Sequence, residues 1–165
     1  MLEESVNALS YTAESLTQGE TYRFKVQAKN LYGYSEFSNI VRILAAQSPA
    51  KPVAPETVWQ PETVTITWIA PDDGGSPITG FTVSVREIDG ESFSVETANC
   101  DVSPNLTCTI PVSTLRAEPY SLEWGSSVYA KVLATNAYGD SLESKAGNGA
   151  VILTAPSPPT DLVRS

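Results

Sequence analysis

The sequence predicts an all-β protein whose main body is a sandwich of about seven short antiparallel strands. Three observations lead there. Apolar and polar residues alternate in runs of strand length; turn-forming clusters recur every 8–12 residues or so; and no segment carries a convincing 3.6-residue apolar stripe. An internal repeat sharpens the reading. Residues 24–38 (FKVQAKNLYGYSEFS) align without gaps on residues 130–144 (AKVLATNAYGDSLES), with eight of fifteen positions identical at a constant offset of 106. That period is the size of one small β-domain.

Taken in order, Tyr22, Phe24, Val26 and Ala28 are every second residue, as are Val128, Ala130, Val132 and Ala134. Successive strand side chains point to opposite faces, so each set marks the buried side of a half-buried strand. Asn-x-Tyr-Gly then supplies turn chemistry, since Asn and Gly tolerate positive φ. A returning strand is expected at 38–45 and again at 145–154. Between the copies, strands are expected at 62–69, 80–87, 92–97 and 106–112. Pro71-Asp-Asp-Gly-Gly-Ser-Pro77 separates the first from the second, and Asp89-Gly90 the second from the third.

These residues resemble a known family. Trp68 in Thr-Val-Thr-Ile-Thr-Trp, followed by Pro-Asp-Asp-Gly-Gly-Ser-Pro-Ile-Thr-Gly-Phe81-Thr-Val, is similar to the B strand, loop and C strand of fibronectin type III domains. Leu16-Thr-Gln-Gly19-Glu-Thr-Tyr22 resembles that family's tyrosine corner, and Asn-x-Tyr-Gly-x-Ser its F–G region. The resemblance implies an immunoglobulin-like β-sandwich and places boundaries on the chain. Residues 1–48 look like strands E, F and G of a first module plus a linker, 49–155 like one complete module, and 156–165 like the first strand of a third. The proline-bearing linker is expected to be semi-rigid. An E-F-G half alone would leave Tyr22, Phe24, Val26, Ile40 and Ile43 on an uncovered apolar face. Self-association, or strands from a neighbouring chain, is the expected cover.

The complete module departs from the family pattern in two places. Val128 stands at the corner position, with Tyr129 out of phase. Leu115 to Gly125 is seven residues longer than Leu16 to Gly19. The extra Arg-Ala-Glu-Pro-Tyr-Ser-Leu-Glu-Trp is expected to form a bulge with Tyr120 and Trp124 packed as a lid. Trp68 and Phe81 read as core, whereas Trp59 is a candidate for an inter-module contact.

Composition narrows function. A net charge of −9 argues against nucleic acid, whose phosphates need clustered Lys and Arg. With no histidine the commonest general base and the commonest neutral metal ligand are both missing. No catalytic residue, cofactor or metal site is expected, and the chain holds no apolar run of membrane-spanning length. No secretory leader is visible after Met1, and no Arg-Gly-Asp triplet occurs.

Cys100 and Cys108 have seven residues between them, which is wrong for a C-x-x-C redox motif, and zinc would lack two further soft ligands. Two free thiols remain an alternative to the favoured reading, a disulfide closing a small loop. Asn105-Leu-Thr107 inside that loop is an N-glycosylation sequon, and both features belong to the secretory route. The loop with Asp72, Asp73, Gly74 and Gly75 lacks the Lys of a phosphate cradle and the carboxylate ladder of a calcium site. It reads as a tight connection between strands. Together with Asp89, Tyr138 and Asp140 it supplies the candidate protein-contact positions.

The function expected is therefore non-catalytic: an extracellular or cell-surface spacer, adhesion or protein-binding module in a tandem array. An intracellular cytoskeletal or muscle-type scaffold is the main rival, and an accessory module of a secreted glycan-active enzyme a third.

Overall fold

The computed structural model describes residues 6–100 and 105–155. The strand expected at 156–165 lies outside the described residues. Two β units follow one another along the chain. In the first, β1 (Thr21–Phe24) pairs antiparallel with β4 (Val41–Leu44), and β2 (Lys29–Asn30) with β3 (Gly33–Tyr34).

The second unit is the sandwich. One sheet has the order β5-β6-β9, from β5 (Glu56–Gln60), β6 (Thr63–Thr67) and β9 (Thr107–Pro111). The facing sheet has the order β12-β11-β7-β8, from β7 (Gly80–Arg86), β8 (Phe93–Val95), β11 (Ala130–Asn136) and β12 (Gly139–Asp140). A separate pair, β10 (Ser127–Val128) with β13 (Ala150–Val151), continues the second layer. Among the described residues no helix is long and apolar enough to cross a membrane.

The core forms where the alternating positions of the two sheets meet. Val64, Ile66 and Ile110 of the first sheet and Val83, Val85 and Val132 of the second are essentially without solvent exposure. Each such side chain contributes about 1.5–3 kcal/mol by burial. The Trp68 and Phe81 rings meet at 5.7 Å between centroids, tilted by 59°. Trp59 is partly buried and packs against this same core.

The repeat has a hydrogen-bond explanation. Asn30 and Asn136 each accept the amide of the tyrosine two residues on, at 2.8 Å, through the side-chain oxygen. Ser35 and Ser141 Oγ accept the amides of Ala28 and Ala134; Ser38 and Ser144 Oγ accept those of Val26 and Val132. Three of the eight residues repeated at the offset of 106 are thus ones whose side chains bond the backbone. The strands expected at 38–45 and 145–154 are shorter than expected: four residues in β4, and two in β13.

The alternating positions fare differently in the two copies. Val128, Ala130, Val132 and Ala134 are all buried. In the first unit Tyr22 and Phe24 are half-buried, but Val26 is 72% exposed, Ile40 56% and Ile43 53%. No second sheet lies over them among the described residues.

Two local expectations are corrected. A short helix, α1 (Val112–Leu115), follows β9. And the insertion after it is no two-ring lid. Tyr120 and Leu122 turn into the core beside Leu115, whereas Trp124 remains 44% exposed with the Arg116 guanidinium 4.6 Å from its ring centre.

The Tyr120 hydroxyl anchors the insertion by donating to Glu96 Oε2 at 2.8 Å, and Glu96 is itself buried and also accepts from Asn99. Burial, the hydrogen bond to the Glu96 carboxylate, and the charges of Glu96 and Glu87 all hold the phenol well above its ordinary value. Since the folded state keeps this proton more tightly, stability is complete below the unfolded phenol's pKa near 10. It falls as pH rises above that value. Urea midpoints measured from pH 8 to 11.5 should decline at the alkaline end, and Tyr120→Phe should flatten that decline.

At the corner of the first unit, Tyr22 Oη accepts the amide of Thr17 at 2.8 Å. Tyr22→Phe is expected to cost about 1 kcal/mol, read as a lower urea midpoint. Val128 offers no such acceptor. Tyr129 instead lies under Arg86, 4.0 Å from ring centre to guanidinium.

Candidate functional site: the junction between the two units

The Pro71–Pro77 loop does more than connect β6 to β7: it grips the first unit and the linker. Gly74 N bonds Asp72 Oδ1 (3.0 Å) and Gly75 N bonds Asp73 Oδ1 (2.8 Å), so both aspartates cap their own turn. The loop's backbone then turns outward. Gly74 O accepts the amide of Gln47 (2.8 Å), and Asp72 O that of Ala50 (2.9 Å). The linker residues between the units are thereby held as an extra strand-like edge.

Two side chains complete the grip. Gln18 Nε2, from the turn before β1, donates to Asp72 Oδ1 at 2.7 Å across 54 residues of sequence. That bond, with the amide of Gly74, holds the Asp72 carboxyl below its ordinary pKa. Asn136 is buried, and its Nδ2 donates to Gln47 O (2.8 Å) and Asp73 O (2.7 Å), with Ser76 O farther off at 3.4 Å. One amide therefore ties the linker, the loop and the β11–β12 turn into a single node.

The glycines are fixed by space as well as by φ. A Cβ on Gly74 would lie 2.3 Å from Gln47 O, and one on Gly75 2.5 Å from Gly19 N and 2.7 Å from Gln18 Cγ. Both residues have positive φ, +72° and +84°, which a β-branched residue adopts only with strain.

The other candidate positions separate by location. Asp140 accepts from Thr135 Oγ1 (2.6 Å) in the β11–β12 turn, and Tyr138, in the same turn, is half exposed. Both lie at the junction end through Asn136. Asp89 accepts the amides of Glu91 and Ser92 at 2.9 Å and turns the chain at the far end, beside the insertion. A hydrogen bond from the Ser92 side chain, then the two amides, lower its pKa. Gln18, Gln47 and Asn136 are the site residues that sequence reasoning overlooked. The recurrence of Asn at positions 30 and 136 was the available signal.

Away from the junction, Cys100 and Cys108 are joined by a disulfide with Cα atoms 5.1 Å apart, both cysteines buried against the core. Cys108 lies opposite Ile66 in the β6–β9 register. Asn105 is exposed on the run into β9, while Thr107 Oγ1 bonds Ile66 O. Among the described residues no three His, Cys, Asp or Glu side chains are placed to hold a metal.

Comparisons with known proteins agree with this architecture. Residues 53–149, more than half of the chain, match the family model described as "Fibronectin type III domain". A Kelch domain-containing protein of Saccharolobus solfataricus is 32% identical over 110 residues, covering 63% of this chain and 15% of that protein. The human cell adhesion molecule-related/down-regulated by oncogenes protein is 36% identical over 99 residues, covering 59% of this chain and 7% of that protein. The chain thus spans 15% or less of the length of these relatives. Domains A168–A170 of titin superpose with a TM-score of 0.58 at 21% identity, covering 84% of this chain and 43% of theirs, a likeness of fold.

Proposed function

Since this chain belongs to the fibronectin type III domain family, we propose that it is a non-catalytic spacer and adhesion segment of a cell-surface tandem array. In this reading residues 1–48 are the E-F-G half of one module with its linker, 49–155 a complete module, and 156–165 the start of a third. The observation that carries the proposal is the junction. A linker bonded along its length by Gln47, Ala50, Asn136 and the 72–75 loop fixes how one module follows the next. Reach and orientation are then set by structure, and the loops and exposed faces are left to meet protein partners. One such partner is a second copy of this chain, seated on the apolar face of Val26, Ile40 and Ile43.

The cell-surface part of the proposal is supported by the Cys100–Cys108 disulfide, by the exposed sequon at Asn105, and by the adhesion-molecule relative. A disulfide persists in oxidising compartments and is rare in the cytosol. Non-reducing mass spectrometry of natively sourced protein tests it. A mass lower by two hydrogens, with a glycan removable from Asn105, is expected. Two alkylatable thiols on unglycosylated protein would overturn it in favour of an intracellular scaffold.

The spacer part has its own test. Gly75→Val is expected to push the units apart while leaving the sandwich folded, because the added atoms strike Gly19 and Gln18 rather than the core. Small-angle scattering should show a wider distribution of inter-unit distances, with the sandwich still melting cooperatively at a midpoint lowered by the strain of Val at this φ. An unchanged scattering profile would remove the junction's role.

A further inference from the structure

The far end of the sandwich repeats the end of the first unit that grips its neighbour. In the first unit Glu20 N donates to Thr17 O (3.3 Å), Gly19 N to Ala45 O (2.9 Å) and Ala45 N to Glu20 O (2.9 Å). In the sandwich Ser126 N donates to Glu123 O (3.0 Å), Gly125 N to Ile152 O (2.9 Å) and Ile152 N to Ser126 O (3.1 Å). The two glycines share positive φ, +79° and +90°. The backbone of 123–126 with 152 is therefore the same device as 17–20 with 45.

What differs is the residue just before the glycine. In the first unit it is Gln18, which bonds Asp72 of the following loop. In the sandwich it is Trp124, half exposed, with Arg116 stacked on its ring. Arg116 comes from the insertion that the first unit lacks. It is solvent-facing, and among the described residues no carboxylate pairs with it. An apolar ring and a free guanidinium stand where the first unit offers a neutral amide.

We propose that Trp124 and Arg116 form the receiving surface for the acidic, glycine-bearing loop of a following module. Arg116 takes the carboxylate that occupies the place of Asp72, and Trp124 covers the glycine in the place of Gly75. The occupant is specified by the existing junction. Its loop places the Asp72 carboxylate and the side-chain-free Gly75 directly against Gln18 and Gly19, while Gly74 backs onto the linker at Gln47 and Ser48. Arginine can meet a carboxylate with two parallel N–H donors, where the Gln18 amide offers one to Asp72. The inference rests on the tandem-array reading.

The test uses a polypeptide in which residues 1–155 are followed by a second copy of residues 49–155. That places Pro49 four residues after Ile152, as it stands four residues after Ala45. Acrylamide quenching of the first copy's Trp124, isolated by difference against Trp124→Phe in that copy, is compared with the 165-residue chain. Quenching should fall by about half or more as the indole is covered by the partner loop. Arg116→Glu in the first copy should restore it, and adding Asp72→Lys in the second copy should protect the ring again. Arg116 is exposed, so Arg116→Glu should keep the sandwich's thermal midpoint, whereas Asp72→Lys removes a turn cap and is therefore also measured alone.

Equal quenching in both polypeptides, or protection indifferent to the charge exchange, would overturn the proposal. If Gly75→Val still loosens the first junction in that polypeptide, the array reading stands and only this surface is refuted. If neither junction responds, both fall.

Discussion

Asn136→Asp is expected to destabilise the sandwich by about 3 kcal/mol or more and to free the first unit from it. The native amide, itself buried, donates to the carbonyls of Gln47 and Asp73 at 2.8 and 2.7 Å. An aspartate there puts a buried anion against carbonyl oxygens that can only accept. The loss therefore combines two unmet acceptors with the cost of desolvating a charge. Asn136→Ala removes the donor without adding charge and should cost about 2 kcal/mol. Urea denaturation followed by intrinsic fluorescence reads the stability. Small-angle scattering below the transition reads the release of the first unit. Equal destabilisation by both variants would mean that the charge is neutralised or solvated, and that the node is looser than its distances indicate.

Removing the disulfide is the second large effect. Cys100→Ser with Cys108→Ser should lower stability by about 2–3 kcal/mol through the freed loop-closure entropy of the unfolded chain. The buried position of both residues adds the burden of placing hydroxyls against Ile66 and the core. Cys100→Ala with Cys108→Ala separates the two contributions, because alanine carries no polar group. Thermal melts of oxidised protein, reduced protein and both double variants should rank oxidised first and the serine pair last. A serine pair as stable as the oxidised protein would show that the bridge constrains nothing that folding does not already constrain.

How far the sequence reaches is best seen at particular residues. Val128, Ala130, Val132 and Ala134 declare a buried strand face because a period of two is visible in four residues. A four-residue helix such as Val112–Leu115 cannot display a 3.6 period, and it is held by contacts with β9 and the core rather than by propensity. Tyr120 and Trp124 belong to the same insertion and look alike as aromatic residues. Only the buried Glu96 acceptor, far away in sequence, decides that Tyr120 goes in and Trp124 stays out.

The junction escaped for the same reason. Asp-Asp-Gly-Gly is ordinary turn chemistry when read locally. Its partners, Gln18, Gln47 and Asn136, lie 54 to 63 residues away or in the linker, where no local pattern points to the loop. The alternating strands, the repeat and the Tyr22 corner were legible because each is written within a few residues. The contacts that orient one unit on the other are written across the chain.

The serine hydroxyls beside β11 have a consequence for crowding. Sandwich units strung on short linkers meet their neighbours at effective concentrations on the order of millimolar. A strand with open amides on its outer side would there be a template for pairing with the wrong unit. Ser141 and Ser144 occupy the outward amides of Ala134 and Val132, and their own amides bond the carbonyls of the same two residues. That margin of β11 is chemically spent before any neighbour arrives. Ser35 and Ser38 do the same for the first unit. Repeating this serine pair in each unit gives a chain of near-copies a way to stay separate from one another while it folds.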